Sequence, residues 1–343
     1  MNKKIAILGT GANGSSAAAD LTRAGFDVTL FDQWPDHVRE MQENGLKIVM
    51  PDREIQTPVD AYHLCDICGL NKVFDIVLLF VKAYDTRWCT ELITPYLAED
   101  GLIVGVQNGM TTGDIADIVG KDRTLGCVVE LSAEIFTPGL VQRNTPPERT
   151  WFGIGSLDES TNGREIEIEE ILRHVGKVSI TDDIVSAKWM KLVVNTMCLG
   201  PFAMLGMTLH EAVKIPEVRE LNLRIGSEAL AAGQRMGYKI EPIFGLQQED
   251  IQDSNRLLEK LLDKLGSDIG PAARDCVLQD HLKGRYSEVD AINGLVVSET
   301  EKNGGQAPAN AAIVEITQRI RSGEIDPSVE NLGAVLKLVS EYS

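Results

Sequence analysis

Six residues near the start of the chain, Gly9-Thr10-Gly11-Ala12-Asn13-Gly14, form a glycine-rich turn of the G-x-G-x-x-G type. The turn follows a short apolar run, Ile5–Leu8, and precedes a helical pattern, Ser15–Ala24. In this setting the first glycine permits a tight turn, the second lets the backbone approach a pyrophosphate, and the third lets helix and strand pack closely. Amides at the helix N-terminus supply local positive potential for phosphates. The pattern therefore predicts a dinucleotide-binding site.

A carboxylate and an amide follow the next predicted strand, Val28–Phe31. Asp32, at the end of that strand, is suited to accept hydrogen bonds from ribose hydroxyls and repels a 2′-phosphate. Gln33 comes next, where a protein that binds the phosphorylated dinucleotide often carries Arg. The two residues favour NAD(H) as the cofactor.

A lysine and an asparagine in the second half of the chain share one face of a predicted helix. Lys191 and Asn195 are spaced i, i+4 within an apolar segment, residues 189–207. Burial lowers the pKa of a lysine, and such a lysine can protonate a carbonyl oxygen as hydride reaches the carbon. A structural lysine at a domain interface explains the same spacing, so the residues alone leave both interpretations open.

An acid-rich tetrapeptide, Ser287-Glu288-Val289-Asp290, begins another predicted helix. We expect Ser287 to be the N-cap, with Asp290 as its third-residue partner. On the pattern alone, Glu288 is an acid of the first turn, which the helix dipole stabilises.

The elements that must position these residues change character along the chain. Short Ile- and Val-rich runs alternate with helical stretches in the first half, which predicts a parallel sheet covered on both faces. The predicted strands are residues 5–8, 28–31, 76–81, 102–106 and 124–129, with 140–143, 151–155 and 178–180 completing the domain. The predicted later helices are residues 183–198, 218–236, 248–265, 287–303, 311–321 and 332–342. We therefore expect an α/β Rossmann-like domain over residues 1–181 and an all-α domain over residues 182–343.

The overall charge excludes several partners. The 343 residues include 33 basic and 51 acidic side chains, for a net charge of −18. Such a chain is poorly suited to nucleic acid or an anionic membrane, and a small-molecule ligand is expected.

The 6 cysteines are too few for a disulfide framework, and no signal peptide is recognised, so a cytoplasmic location is expected. His63, Cys65 and Cys68 lack a suitably spaced fourth ligand, so no metal is predicted.

These features together resemble the ketopantoate reductase (2-dehydropantoate 2-reductase) family over most of the chain, from Ile5 to about Ile320. Four blocks carry the resemblance: Ile5-Ala-Ile-Leu-Gly-Thr-Gly-Ala-Asn-Gly14, Val81-Lys82-Ala83, Gln107-Asn108-Gly109-Met110, and Trp189-Met-Lys191-Leu-Val-Val-Asn195 paired with Ser287-Glu288-Val-Asp290-Ala-Ile-Asn293-Gly294. In this order and spacing the blocks are fairly specific.

The resemblance implies a Rossmann domain followed by a helical domain, and NAD(P)H-dependent reduction of a 2-keto acid to a 2-hydroxy acid. It implies that Lys191 is the general acid, that Asn195 orients the substrate, and that Glu288 holds the substrate or the lysine network. It also implies that Asn108 lies near the nicotinamide and Lys82 near the adenosine ribose. Pantothenate biosynthesis is the metabolic role that the family name suggests.

The sequence departs from the family pattern at three places. Asp32-Gln33 stands where many members have Arg, which favours NAD, although Lys82 keeps NADP open. Leu199 stands where the reductase that makes pantoate has a second Asn, and Cys276 where the family has a Ser that contacts the substrate. Exchanging hydrogen-bonding groups for an apolar side chain and a thiol lowers affinity for a polar keto acid. The reaction type is therefore better supported than the substrate.

Two other functions fit the same residues. A β-hydroxyacid or opine-type dehydrogenase also pairs a Rossmann domain with a helical domain, and a non-catalytic dinucleotide-binding regulator would bind NADH without turnover. The apolar content of residues 190–235 is compatible with a homodimer.

Overall fold

The computed structural model describes residues 3–251, 256–268 and 273–342. The chain divides into two compact units, Met1–Val185 and Ser186–Ser343. The strands are β1 Lys4–Leu8, β2 Asp27–Asp32, β3 Leu46–Val49, β4 Glu54–Thr57, β5 Asp60–His63, β6 Phe74–Leu79, β7 Leu97–Val106, β8 Thr124–Glu130, β9 Ala133–Thr137, β10 Leu140–Arg143, β11 Trp151–Ser156 and β12 Lys177–Ile180. The assignment of cofactor binding to the first unit and catalysis to the second stays a prediction.

Helices cover part of the first unit and most of the second. They are α1 Ala12–Arg23, α2 Pro35–Asn44, α3 Thr86–Ile93, α4 Thr112–Val119, α5 Glu165–Leu172, α6 Ile184–Ala203, α7 Leu209–Ala212, α8 Pro216–Arg235, α9 Gln248–Ile251, α10 Leu257–Asp268, α11 Cys276–Leu282, α12 Val289–Lys302, α13 Pro308–Arg321 and α14 Asn331–Tyr342. Residues 252–255, which fall inside the predicted helix 248–265, lie outside the described residues. Within the described residues, no helix is both long enough and apolar enough to span a lipid bilayer.

The main sheet of the first unit has the strand order β12-β11-β8-β7-β6-β1-β2-β5. From β5 to β8 every neighbouring pair is parallel, and the order reverses between β1 and β6, as in a doubly wound fold. Residues 5–8 of β1 are fully buried, which is why this strand is a continuous apolar run. The predicted Rossmann-like architecture is confirmed, with β11 running antiparallel to β8 at one edge.

A second sheet of four strands, ordered β4-β3-β10-β9, was not predicted. The predicted strand 140–143 is present as β10, but it belongs to this small sheet, where it pairs with β3 and β9. Helix α1 packs against this sheet through β9 and β10.

A buried ion pair joins the small sheet to α1. Arg143, the last residue of β10, is fully buried. Its guanidinium donates hydrogen bonds to Oδ2 of Asp20 on α1 (2.5 Å), the Thr145 carbonyl (2.8 Å), the Val175 carbonyl (2.9 Å) and Thr150 Oγ1 (3.0 Å). Burial raises the pKa of Asp20 above its ordinary value, and the Arg143 charge opposes that rise.

The second unit is built around α6. The predicted helix 183–198 extends in the structure to Ala203, through Gly200 and Pro201. A Cβ at Gly200 would lie 2.5 Å from Ile313 of α13, so the glycine allows the two helices to approach. Trp189 of α6 fills the space above Gly233 of α8 and donates to the Ala229 carbonyl at 3.0 Å.

Buried amides connect four helices of this unit. Asn293 of α12 donates to the Thr196 carbonyl of α6 (3.3 Å) and to Oδ1 of Asn310 on α13 (3.0 Å). Asn310 in turn donates to the Ile225 carbonyl (3.1 Å) and to Glu228 Oε2 (2.9 Å), both on α8. The helix that carries Lys191 is therefore held by hydrogen bonds as well as by apolar packing.

We predict that Arg143→Met destabilises the protein by about 3–5 kcal/mol, because it leaves the Asp20 carboxylate buried without its partner. The loss of the Arg143 charge raises the folded-state pKa of Asp20 further, so protonation relieves the penalty at low pH. The stability deficit should therefore be smaller at about pH 5 than at about pH 8. Urea unfolding at both values measures it.

The double variant Asp20→Asn with Arg143→Met should lose this pH dependence. Arg39→Met, which removes one half of an exposed ion pair with Asp36, serves as the surface control and should cost about 1 kcal/mol or less. An equal deficit at both pH values for the single Arg143 variant would show that Asp20 is not the cause.

Candidate active site

The glycine turn lies between β1 and α1, at the carboxyl edge of the main sheet. Gly9 has a φ of +85°, a conformation that favours glycine. A Cβ at Gly14 would lie 2.1 Å from the Gly9 carbonyl oxygen, so the turn requires glycine there as well. Gly11 is the N-cap of α1 and is exposed, and a Cβ added to it would meet no heavy atom within 4 Å. The first and third glycines thus maintain the turn, while the second leaves open space beside the helix N-terminus.

The Thr10 carbonyl is fixed by two side chains, Ser15 and His37, whose roles the sequence did not indicate. It accepts hydrogen bonds from Ser15 Oγ (2.6 Å) and from His37 Nε2 (2.8 Å). The Gly139 amide donates to His37 Nδ1 at 2.9 Å, so the proton of the neutral ring is on Nε2. His37 is fully buried and positions the turn.

Asp32 lies at the end of β2 and is oriented by the same turn. Its Oδ2 accepts from Thr10 Oγ1 (3.1 Å), and its Oδ1 accepts from the Trp34 amide (2.9 Å). The side chain of the next residue, Gln33, is exposed, and its carbonyl accepts from His63 Nε2 (3.1 Å).

The His63 side chain has a structural role. The Cys65 amide donates to its Nδ1 at 3.2 Å, so both ring nitrogens make hydrogen bonds within the protein. Among the described residues, no group of three or more His, Cys, Asp or Glu side chains is arranged to hold a metal ion.

Lys82 follows β6, and Asn108 follows β7. Because these strands are parallel, both residues lie at the edge of the sheet that carries the glycine turn. Both are half-buried. Gln107 connects the two segments: its Nε2 donates to the Val81 carbonyl (2.8 Å) and to Thr86 Oγ1 (2.9 Å). The motif Gln107-Asn108-Gly109-Met110 contained this signal, but the sequence did not show the role of Gln107.

In the second unit, Lys191, Asn195 and Leu199 follow one another along one face of α6. Asn195 is buried, whereas Lys191 and Leu199 are half-buried. The Lys191 ammonium lies 4.7 Å from the centroid of the Phe244 ring, within the range of a cation–π interaction. Phe244 was not recognised in the sequence.

Cys276 is the first residue of α11, after its N-cap residue Asp275, which accepts two backbone amides at 2.8 and 3.0 Å. Burial raises the pKa of Cys198 on α6, the Lys191 charge lowers it, and the Asp275 charge raises it.

The prediction for the start of α12 was wrong in one respect. The N-cap is Glu288, not Ser287, and α12 begins at Val289. Glu288 is buried, at 4 % exposure, and makes no side-chain capping hydrogen bond. It thus lies at the beginning of the helix that contacts α6 through Asn293 and Thr196. The role of Glu288 toward the substrate or the lysine stays a prediction.

The doubly wound sheet, its glycine turn and the separate helical unit define the class of two-domain dinucleotide-dependent oxidoreductases. Comparison with known families then identifies the particular group. The family model described as Ketopantoate reductase PanE/ApbA matches residues 5–156, and the model described as Ketopantoate reductase PanE/ApbA C terminal matches residues 183–321. The chain belongs to the ketopantoate reductase family, and it is an oxidoreductase that reduces a keto acid with NAD(P)H.

Three individual proteins are similar to this chain over nearly their whole length. The chain is 26% identical over 340 residues to the 2-dehydropantoate 2-reductase of Mesorhizobium japonicum, covering 92% of this chain and 97% of that protein. Its fold is similar to a PanE/ApbA family ketopantoate reductase from Ralstonia eutropha JMP134 (TM-score 0.78, 23% identity, 94% and 99% coverage). It is also similar to D-mandelate dehydrogenase in its ternary structure with NADH and anilino(oxo)acetate (TM-score 0.83, 20% identity, 93% and 99% coverage).

We predict opposite outcomes for two glycine variants of the turn. In Gly11→Ala the new methyl group meets no protein atom, so stability should change by about 1 kcal/mol or less, while NADH affinity falls at least about tenfold. In Gly14→Ala the methyl group meets the Gly9 carbonyl, so the folded protein should be destabilised as well. Thermal unfolding and NADH fluorescence titration separate the two effects. Unchanged NADH affinity in Gly11→Ala would contradict binding at this turn.

Proposed function

We propose that the chain reduces a 2-keto acid to a 2-hydroxy acid, with hydride from NADH and a proton from Lys191. The observation that carries this proposal is the face of α6 on which Lys191 lies one turn from the buried Asn195. Hydride adds to the keto carbon, the carbonyl π electrons move to oxygen, and that oxygen takes a proton from the Lys191 ammonium. Bound NADH would supply the hydride and leave as NAD+. The neutral amine of Lys191 then regains a proton from water.

The remaining site residues have supporting roles in this proposal. Asn195 orients the keto acid, Glu288 holds the substrate or the lysine, and Cys276 and Leu199 contact the substrate. In the first unit, Gly9 to Gly14 bind the pyrophosphate through the amides at the start of α1, whose first turn contains no acidic residue. Asn108 lies toward the nicotinamide and Lys82 toward the adenosine ribose.

We propose NADH as the preferred cofactor because the Asp32 carboxylate ends β2 and is held in place by Thr10 and the Trp34 amide. A carboxylate fixed at this position accepts ribose hydroxyls and repels a 2′-phosphate. The half-buried Lys82 is the feature that would favour NADPH.

Replacement of the carboxylate by an amide should weaken this discrimination. We predict that Asp32→Asn lowers the ratio of kcat/KM for NADH to that for NADPH by about tenfold or more, because the charge is lost while the shape is kept. Steady-state kinetics with both cofactors measure the ratio. The control is Asp36→Asn, an exposed acid on α2, which should leave the ratio unchanged. A ratio unaltered by Asp32→Asn would remove Asp32 from the cofactor site.

The proton-donor role of Lys191 has an equally direct test. Lys191→Met should lower kcat by a factor of about 100 or more, the usual scale for loss of a general acid, while NADH affinity stays within about twofold. Lys214→Met removes an exposed lysine from the same unit and is the matched control. Single-turnover NADH oxidation and NADH titration give the two quantities. An unchanged kcat would remove Lys191 from the mechanism.

We also propose that the protein acts in the cytoplasm on a small keto or hydroxy acid. All 6 cysteines are free thiols, and Cys65 and Cys68 are exposed, which fits a reducing compartment. A homodimer remains a proposal, and analytical ultracentrifugation distinguishes it from a monomer.

A further inference from the structure

Two exposed cysteines, Cys65 and Cys68, lie on a short 3₁₀ helix, Leu64–Gly69, that directly follows β5. Side chains at i and i+3 of a 3₁₀ helix lie on the same side, and a rise of about 2 Å per residue places their Cα atoms about 6 Å apart. A disulfide joins Cα atoms that are about 4.4–6.8 Å apart. The Cys68 thiol donates to the Cys65 carbonyl oxygen at 3.5 Å, so it already lies against the residue with which it would pair.

The other four cysteines are less accessible than this pair. Three of them are buried, and Cys276 is half-buried. Burial raises the pKa of the Cys89 thiol and that of the Cys198 thiol, which lowers the fraction of each that is ionised. Because the thiolate is the nucleophile in thiol–disulfide exchange, a small disulfide in solution reacts first with the exposed pair.

The 3₁₀ helix is anchored through its backbone and its apolar residues, not through its thiols. Leu64 and Ile67 are buried beneath it. The Cys65 amide donates to Nδ1 of His63 (3.2 Å), and Nε2 of that ring donates to the Gln33 carbonyl (3.1 Å). A bond between the two cysteine side chains therefore requires none of these contacts to break.

We propose that Cys65 and Cys68 form a reversible redox modification site for low-molecular-weight disulfides such as oxidised glutathione. One cysteine thiolate attacks a sulfur of the glutathione disulfide, whose S–S bond breaks and releases one glutathione thiolate. The other cysteine thiolate attacks the protein sulfur of this mixed disulfide, forms the Cys65–Cys68 bond and releases the second glutathione thiolate. The protein dithiol loses two electrons, the glutathione disulfide gains them, and the two thiol protons pass through water to the released thiolates.

The site adjoins the strand that ends at Asp32. Strand β5 pairs in parallel with β2, and His63 is the register partner of Asp32. The 3₁₀ helix therefore begins at the same carboxyl edge of the main sheet as the glycine turn. In a reducing compartment a disulfide at this edge is transient and forms only when the thiol pool is oxidised.

Mass spectrometry of the full chain tests the proposal. The protein is incubated with oxidised glutathione, alkylated with iodoacetamide and digested with trypsin, which releases residues 54–72 as a peptide that contains these two cysteines and no other. We expect this peptide to lose two hydrogen atoms and to take up no alkyl group. The intramolecular form should exceed the glutathionylated form at least about tenfold, because the second thiol lies one turn away. Dithiothreitol should restore two thiols that react with iodoacetamide.

Single substitutions trap the intermediate of this exchange. Cys65→Ser and Cys68→Ser each keep one exposed thiol, so each should accumulate the mixed disulfide with glutathione. Cys89→Ala, which removes a buried thiol of the same unit, is the matched control and should leave the oxidation of the peptide unchanged.

The proposal is overturned if the peptide of the unaltered protein stays fully alkylated after oxidation, or if it carries glutathione without the intramolecular bond. A second readout tests closure within the native 3₁₀ helix: oxidised and reduced protein should bind NADH with affinities within about threefold of each other, because the anchoring contacts are kept. A larger loss of affinity on oxidation would show that closure displaces His63. The peptide analysis does not depend on turnover, so this site and the proposed keto acid reduction succeed or fail separately.

Discussion

The arrangement of the first unit depends on one buried ion pair, between Arg143 and Asp20. Arg143 is fully buried, and its donors meet a carboxylate, two carbonyls and a hydroxyl, so its charge is compensated where it lies. Removal of one member of such a pair leaves an unpaired charge in the interior, which is far more costly than the pair itself. Since Asp20 belongs to α1, the interaction fixes the helix whose N-terminus forms the glycine turn. The same helix thus has one end anchored to the small sheet and the other end open to solvent at Gly11.

The second unit fixes α6 by a different means. Gly200 and Gly233 bring α13 and α8 into direct contact with α6, and a Cβ at either position would meet Ile313 or Trp189. Between these contacts, the hydrogen bonds of Asn293 and Asn310 connect α6, α8, α12 and α13. A buried amide network of this kind rigidifies a packing arrangement because breaking one of its hydrogen bonds leaves a buried polar group unsatisfied. The face of α6 that carries Lys191 is therefore set by contacts on its other faces.

Local sequence patterns were sufficient for the main sheet and insufficient wherever the chain pairs with distant residues. The strands β1, β6 and β8 were predicted because parallel strands buried on both faces are continuous apolar runs. Strands β3 and β4 have four residues each and partly exposed positions, and they form only with the small sheet that β10 completes. His37 was missed because its partner Gly139 lies 102 residues away. The glycine turn and the Lys191–Asn195 spacing are local, so the sequence indicated both. Phe244 reaches Lys191 through a reversal at a positive φ, which no periodic pattern indicates.

The acidity of the chain and the affinity of the family for an anionic cofactor are compatible because they act over different distances. The net charge of −18 is distributed over the whole chain and is screened by salt within about 10 Å. A phosphate at the start of α1 would instead meet backbone amides at hydrogen-bonding distance, on a helix with no acidic residue in its first turn. Helix α5 shows the contrast, since Glu165 and Glu167 occupy its first turn and neutralise the same dipole. A helix N-terminus that a glycine turn leaves open, with no acid in its first turn, can therefore offer an anion a local site on an acidic protein.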